Sequence, residues 1–112
     1  MSNYIMDLRK VVGHRPLMLV GASVIVVDSD NRILLQQRRD NRCWGYAGGS
    51  VELYECVEDA ARRELQEETG LRVDPTALLG PVARRVTVHG YSDQVLEQEE
   101  HFFVLRTERY EV

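Results

Sequence analysis

A chain of 112 residues that is 44% apolar and 29% charged has the composition of one small folded domain and not of a disordered segment. Its formal net charge of −4 argues against non-specific binding to nucleic acid, which requires a basic surface. A phosphorylated small molecule is compatible with this charge, because a bound metal ion can supply the missing positive charge.

The sequence shows no signal for a membrane or for an oxidising compartment. No apolar run reaches about 18 residues, and the N-terminal segment MSNYIMDLRK is charged before any apolar run, unlike a signal peptide. Cys43 and Cys56 have no partner at zinc-binding spacing, so we interpret them as two free thiols. These observations predict a cytoplasmic protein without a membrane partner.

The N-terminal part of the chain predicts one helix and one hairpin. Apolar residues recur at helical spacing over 4–12, and Gly13 ends the pattern. The segment LMLVGASVIVV, 17–27, is rich in β-branched residues and predicts a strand. DSDNR has turn chemistry and RILLQQR indicates a second strand, so 17–38 is predicted to be a hairpin. Residues 40–52, with three glycines and one tryptophan, are predicted to form a loop.

The C-terminal part predicts one long helix and two more strands. The helix covers 56–69, and Gly70 stands where a left-handed C-terminal cap is expected. Strands are predicted over 78–91 and 100–108, with an acidic connection between them. Strands on both sides of one helix, joined by apparent hairpins, predict a single α/β domain over 1–112 with a mixed or antiparallel sheet.

Three glutamates occupy one side of the long helix. With about 100° per residue and Glu64 at 0°, Glu67 falls near −60° and Glu68 near 40°. The apolar residues on the same side are Val57, Ala60, Ala61 and Leu71. Carboxylates directed toward the protein body are costly unless they are paired or bind metal. We therefore interpret them as ligands of a hard divalent cation and not as a solvated charged face.

The segment around this helix resembles the box of the Nudix (MutT-like) hydrolases, G-x5-E-x7-R-E-U-x-E-E-x-G-U, in which U is apolar. The box covers 49–71, and its fixed positions are met by Gly49, Glu55, Arg63, Glu64, Leu65, Glu67, Glu68, Gly70 and Leu71. The resemblance implies an α/β/α sandwich with a mixed sheet and a loop–helix–loop site. It also implies hydrolysis of a diphosphate bond in a nucleoside diphosphate linked to another group X, with Mg²⁺ or Mn²⁺.

The resemblance further implies roles for individual residues. Glu64, Glu67 and Glu68 resemble the metal-binding carboxylates, and Gly48 resembles the glycine whose carbonyl often joins them. Arg63 resembles the residue that orients the glutamates through salt bridges. Structural or outer positions of the box are Gly49, Glu55 and Gly70.

Hydrolysis also requires a base that takes a proton from the attacking water. Glu64 is the expected base, and with Glu67 and Arg63 it forms the expected catalytic set. Some family members use a glutamate from a downstream loop instead. Glu99 and Glu100 are the alternatives here, unless they only form an acidic surface turn.

Three departures from the family pattern concern the loop before the helix. Ala47 stands where many members have proline, Tyr54 where many have glycine, and Cys56 where many have serine or threonine at the helix N-cap. Cysteine is a poor hydrogen-bond acceptor at an N-cap. The departures affect loop conformation and substrate fit, but no carboxylate is lost.

The sequence ends soon after the last predicted strand, where family domains usually continue into another strand and a C-terminal helix. We therefore expect a truncated C-terminal part or cover from a partner, for which a homodimer that also buries the helix over 4–12 is one arrangement.

Residues outside the box are expected to contact the substrate. Arg38 could bind phosphates or simply solubilise a strand end. Trp44 could stack on a base or pack the loop. Together with Glu100 they form the expected substrate-binding set.

Other functions on the same fold are alternatives to hydrolysis. A Nudix-like module could hold a nucleotide or ADP-ribose without cleaving it, which the changes at Ala47 and Tyr54 motivate. An isomerase of isoprenyl diphosphates would need a catalytic cysteine before the box, where Cys43 stands. The expected partner is a small nucleoside diphosphate derivative and not a nucleic-acid polymer, and the sequence does not define X.

Overall fold

The structure, a computed structural model, describes residues 4–91 and 94–107. These residues form α1 (Tyr4–Val12), β1 (Leu17–Val27), β2 (Gln36–Gln37), β3 (Trp44–Gly45), β4 (Ala47–Ser50), α2 (Val57–Thr69), β5 (Leu78–Tyr91) and β6 (Gln94–Arg106). Helix α1 covers the same residues as the predicted helix, and α2 begins one residue later than predicted. Neither helix is long and apolar enough to cross a membrane.

Four strands form one mixed sheet in the order β4-β1-β6-β5. Strand β1 runs parallel to β6, whereas β1 with β4 and β5 with β6 are antiparallel. The parallel pair sets Val24 beside Phe103 and Val26 beside Leu105, so these side chains lie on the same face of the sheet. The predicted α/β class with a mixed sheet is confirmed.

Helix α2 packs on this face and closes the core. Its buried residues are Ala60, Ala61 and Leu65, and they join a cluster with Ala22, Val24, Val26, Ala47, Phe103 and Leu105. The two alanines have small side chains, so the helix backbone lies close to the sheet. Helix α1 contributes no buried residue.

The predicted hairpin over 17–38 forms only at its turn and is wrong beyond it. The turn after β1 does form, with the Asn31 N–H donating to the Asp28 carbonyl over 3.0 Å. Beyond it, the partner segment makes one isolated bridge, between Val27 and Ile33. Strand β2 pairs with β3 in a separate two-stranded sheet, because β4 already occupies that edge of β1.

Two predicted connections are also wrong. The predicted loop over 40–52 contains β3 and β4, and Gly48 and Gly49 both lie in β4. Strand β6 begins at Gln94, so Glu99 and Glu100 lie within a strand and not in an acidic turn. Both changes matter for the site, because they fix these residues on the sheet.

Candidate active site

Helix α2 carries the three box glutamates, and its two ends differ in how they are capped. At the C-terminal end Gly70 has φ 79°, and its N–H donates to the Gln66 carbonyl, which confirms the predicted left-handed cap. At the N-terminal end Cys56 makes no side-chain cap hydrogen bond. Its thiol instead donates to Asp59 Oδ2 over 3.0 Å. Cys43 and Cys56 are exposed and free, as interpreted from the sequence.

The predicted inward direction of the glutamates is correct only in part. The Glu64 side chain is 16% exposed, but that of Glu67 is 40% exposed, and Glu68 is an exposed residue. The ridge that contacts the sheet consists of Ala60, Ala61 and Leu65. The glutamates therefore border this ridge, and Glu64 is the most covered of the three.

Arg63 connects the helix to the preceding loop. Its Nε and Nη2 donate to the two carboxylate oxygens of Glu55 over 2.8 and 2.9 Å, and Nη2 also donates to the Ser50 carbonyl over 3.0 Å. Its Nη1 donates to Glu64 Oε1 over 2.7 Å and lies 3.5 Å from Glu67 Oε2. Glu55 and Glu64 raise the pKa of Arg63, and Arg63 lowers the pKa of Glu55. One guanidinium thus fixes the loop, β4 and two glutamates relative to one another.

Glycine is required at two neighbouring positions of β4 because other atoms approach closely. A Cβ at Gly49 would lie 2.5 Å from Cδ of Glu64. A Cβ at Gly48 would lie 2.5 Å from the Ala22 carbonyl oxygen and would meet the Ser23 side chain. The Glu64 carboxylate therefore occupies the space that the missing side chain of Gly49 leaves open.

Glu68 is held by groups from two strands. Its Oε2 accepts hydrogen bonds of 2.9 Å from the Gly48 N–H and from Gln36 Nε2. Partial burial of the carboxyl group, with smaller contributions from Glu64 and Glu67, raises the pKa of Glu68, whereas these two hydrogen bonds lower it. The contact of Gln36 could not be predicted from the sequence, because it depends on how β2 lies against α2.

The box supplies hard oxygen donors, as a Mg²⁺ or Mn²⁺ site requires. In the ranges that the structure describes, however, no three His, Cys, Asp or Glu side chains are arranged to hold one ion. The carboxylate oxygens are instead engaged by Arg63, Gln36 and the Gly48 N–H. The donor chemistry fits a divalent cation, and binding it would require side-chain rotations of Glu64, Glu67 and Glu68.

The three residues expected to bind substrate border one cavity of about 350 Å³. Arg38, Trp44 and Glu100 line it together with Gly48 and Glu68. Arg38 pairs with Asp40 over 2.8 Å and lowers the pKa of that carboxyl to about 2. Trp44 is 64% exposed, so its ring is not packed in the core. The box and the expected substrate residues thus meet in one place.

Phe102 and Arg85 also line this cavity, and both were missed from the sequence. Tyr46 and Phe102 line it with ring centroids 6.3 Å apart in an edge-to-face arrangement, and Arg85 lies with its guanidinium 5.4 Å from the Phe102 centroid. Phe102 and Glu100 are two residues apart on β6 and share a face of the sheet. That alternation was available from the sequence, because both residues lie in the strand predicted over 100–108, but it does not show which face of the strand borders the cavity.

Tyr54 occupies the loop position at which many family members have glycine. Its φ of 64° lies in the left-handed region, where an L residue with a side chain is disfavoured. The ring is fully exposed. Tyr54 in place of glycine therefore adopts the left-handed conformation itself, and the backbone turn is still formed.

Comparisons with known proteins show the family of this chain and its fold. The sequence profile of the NUDIX domain matches residues 18–112, and the chain belongs to the Nudix family. It is 31% identical over 101 residues to an RNA pyrophosphohydrolase of Halorhodospira halophila. The matched region covers 84% of this chain and 54% of that protein. It is 43% identical over 65 residues to a MutT-like protein of Streptomyces ambofaciens. Here the matched region covers 58% of this chain and 42% of that protein.

Solved structures show the same fold. The E. coli dihydroneopterin triphosphate pyrophosphohydrolase superposes with a TM-score of 0.69 at 28% identity, over 83% of this chain and 70% of that chain. The chain spans about half the length of the curated relatives it matches. The family and the fold are therefore established, and the activity is proposed below.

Proposed function

We propose that this protein is a metal-dependent Nudix pyrophosphohydrolase that cleaves a diphosphate bond in a nucleoside diphosphate derivative. The observation that supports this most directly is the complete box, in which Arg63 fixes Glu55 and Glu64 with hydrogen bonds of 2.7 to 2.9 Å. The cavity that begins at Gly48 and Glu68 supplies space for the substrate beside the box.

Glu64, Glu67 and Glu68, with Gly48, are the proposed ligands of Mg²⁺ or Mn²⁺. A divalent cation bound there would neutralise the diphosphate and lower the pKa of water. Arg63 orients Glu64 through a 2.7 Å hydrogen bond, so that Glu64 can accept the proton of the attacking water.

The remaining cavity residues bind the substrate. Arg38 is proposed to contact phosphate oxygens, and the Trp44 ring to lie against the nucleoside. Glu100 lines the cavity from strand β6 and does not belong to the box, which supports a substrate contact over the role of base. The cytoplasmic location, the small-molecule substrate and the homodimer remain predictions.

The test is a panel of nucleoside triphosphates, dinucleoside polyphosphates, ADP-ribose, nucleotide sugars and a 5′-triphosphorylated RNA, each with Mg²⁺ or Mn²⁺. Glu68→Gln should lower turnover by roughly a hundredfold, the scale on which removal of one electrostatic group acts in an active site. It should also weaken Mn²⁺ binding in a titration.

Glu58→Gln is the matched control, because Glu58 lies in the first turn of the same helix and is exposed. It should leave both turnover and Mn²⁺ binding unchanged. Hydrolysis of no compound by a folded, Mn²⁺-binding wild type would refute the proposal. Tight nucleotide binding without cleavage would then identify a binding module.

A further inference from the structure

The cavity beside Glu68 has a wall of aromatic side chains around one carboxylate. Three aromatic rings line it, from Trp44, Tyr46 and Phe102, and a single carboxylate lies among them, from Glu100. Aromatic rings favour a flat heterocycle through stacking, and a carboxylate accepts hydrogen bonds from its edge. The wall therefore has the chemistry of a base-recognition site.

Alternation along β6 separates Glu100 from its acidic neighbour. Glu99 points to the other face, where it accepts a 2.7 Å hydrogen bond from Arg84 and its side chain is 34% exposed. Glu100 is only 15% exposed and accepts a 3.2 Å hydrogen bond from Arg85. Glu100 is thus the covered carboxylate of the two, and it lies in the cavity.

Arg85 binds the Glu100 carboxylate but does not occupy all of its hydrogen-bond acceptor positions. The guanidinium is placed by Glu100 and by the Phe102 ring, 5.4 Å from the centroid. A carboxylate has about four acceptor sites. Within the described residues, Arg85 is the side chain that donates a hydrogen bond to the Glu100 carboxylate. The remaining acceptor positions are available to a ligand.

We propose that Glu100 selects substrates whose heterocycle presents a guanine-type edge, in which a ring N–H stands next to an exocyclic amino group. Two adjacent donors match the two oxygens of a carboxylate in a bidentate contact. Adenine and cytosine set a ring acceptor beside their amino group, so that one carboxylate oxygen would face a lone pair. Uracil offers one ring N–H between two carbonyls, which would repel it. This inference rests on the proposed function, because it names the substrate class of the same site.

The selectivity follows from the cost of leaving polar groups unpaired. A hydrogen bond to a charged group contributes enough to change specificity roughly tenfold to hundredfold. A site built around such a contact rejects analogues that lack the donor. The wild type should therefore prefer dGTP to dATP by at least roughly tenfold in kcat/KM, with dITP, which keeps the ring N–H and lacks the amino group, between them.

The experiment compares kcat/KM for dGTP, dITP and dATP in the wild type and three variants. Glu100→Gln should reduce the preference for dGTP over dATP to within about threefold, because an amide replaces one acceptor by a donor. Glu100→Asp keeps the charge and should retain the order dGTP, dITP, dATP. Glu99→Gln is the matched control on the opposite face and should retain the full wild-type preference.

Other outcomes would overturn the inference. A wild type without base preference would do so, and so would a Glu100→Gln variant that loses turnover equally on all three substrates, since that result assigns Glu100 to the chemistry or the fold. If the wild type hydrolyses none of them, the proposed function fails for these substrates. Titration with the non-hydrolysable imido analogues of GTP and ATP then tests base selection alone, with at least roughly tenfold tighter binding of the GTP analogue expected and equal binding refuting it.

Discussion

Gly49→Ala tests whether the position of Glu64 governs activity. The added Cβ would lie 2.5 Å from Cδ of Glu64 and 2.6 and 2.7 Å from its two oxygens. Carbon atoms in contact prefer about 3.5 to 4.0 Å, so the carboxylate must move by about 1 Å. That shift would break its 2.7 Å hydrogen bond with Arg63. Because the Glu64 side chain can rotate, we expect a loss of only about 1 kcal/mol in stability, but a fall of about a hundredfold in kcat/KM.

Two assays separate these effects. Thermal unfolding should show a decrease in Tm of about 4 °C, and Mg²⁺-dependent diphosphate hydrolysis should show the larger loss. Gly45→Ala is the control for stability, because a Cβ at that position meets no atom within 4 Å. If the folded Gly49→Ala protein retained kcat/KM within about twofold of the wild type, a displacement of Glu64 of this size would be harmless and the reasoning would be refuted.

Two further predictions concern stability. Tyr54→Gly should raise the free energy of unfolding by about 0.5 to 1 kcal/mol, because it relieves a left-handed backbone; a urea denaturation in which Tyr54→Ala gains as much would contradict this. Asp28→Asn should destabilise near neutral pH, because the Asp28 carboxylate accepts hydrogen bonds of 2.9 and 2.7 Å from the Arg32 N–H and Nε. The backbone hydrogen bond from Arg32 holds the pKa of Asp28 in the folded protein below its ordinary 3.8. The wild type is therefore more stable than the variant above pH 3.8, and this difference in unfolding free energy shrinks as the pH falls through the pKa of the folded state. Denaturation at neutral and acidic pH measures this difference, and a gap that widens in acid would contradict it.

The elements that the sequence predicted well are those held by local contacts. Helix α2 and its cap at Gly70 depend on hydrogen bonds between residues four apart, which the periodicity reports directly. Strand β4 depends on pairing with β1, and its AGGS sequence has low strand propensity. A segment of that kind can be identified as a strand only when its partner is known.

The site was predicted to the extent that it lies in the box. The helical angles predicted the direction of Glu68 around the axis of α2. They do not report how far the sheet extends along that axis, so the exposure of Glu68 was missed. The contacts of Glu100 with Arg85 and the cavity depend on the register between β5 and β6. Such registers pair residues far apart in the chain, and local patterns do not determine them.

Strand β6 lies between β1 and β5, although it is synthesised after both. Until it emerges from the ribosome, β1 and β5 each lack the neighbour that separates them in the finished sheet, and Phe103 is absent from the core. Non-local pairing of this kind forms late and slowly. The mixed sheet that carries the candidate site is therefore complete only once β6 has paired with both neighbours, later than the box helix can form.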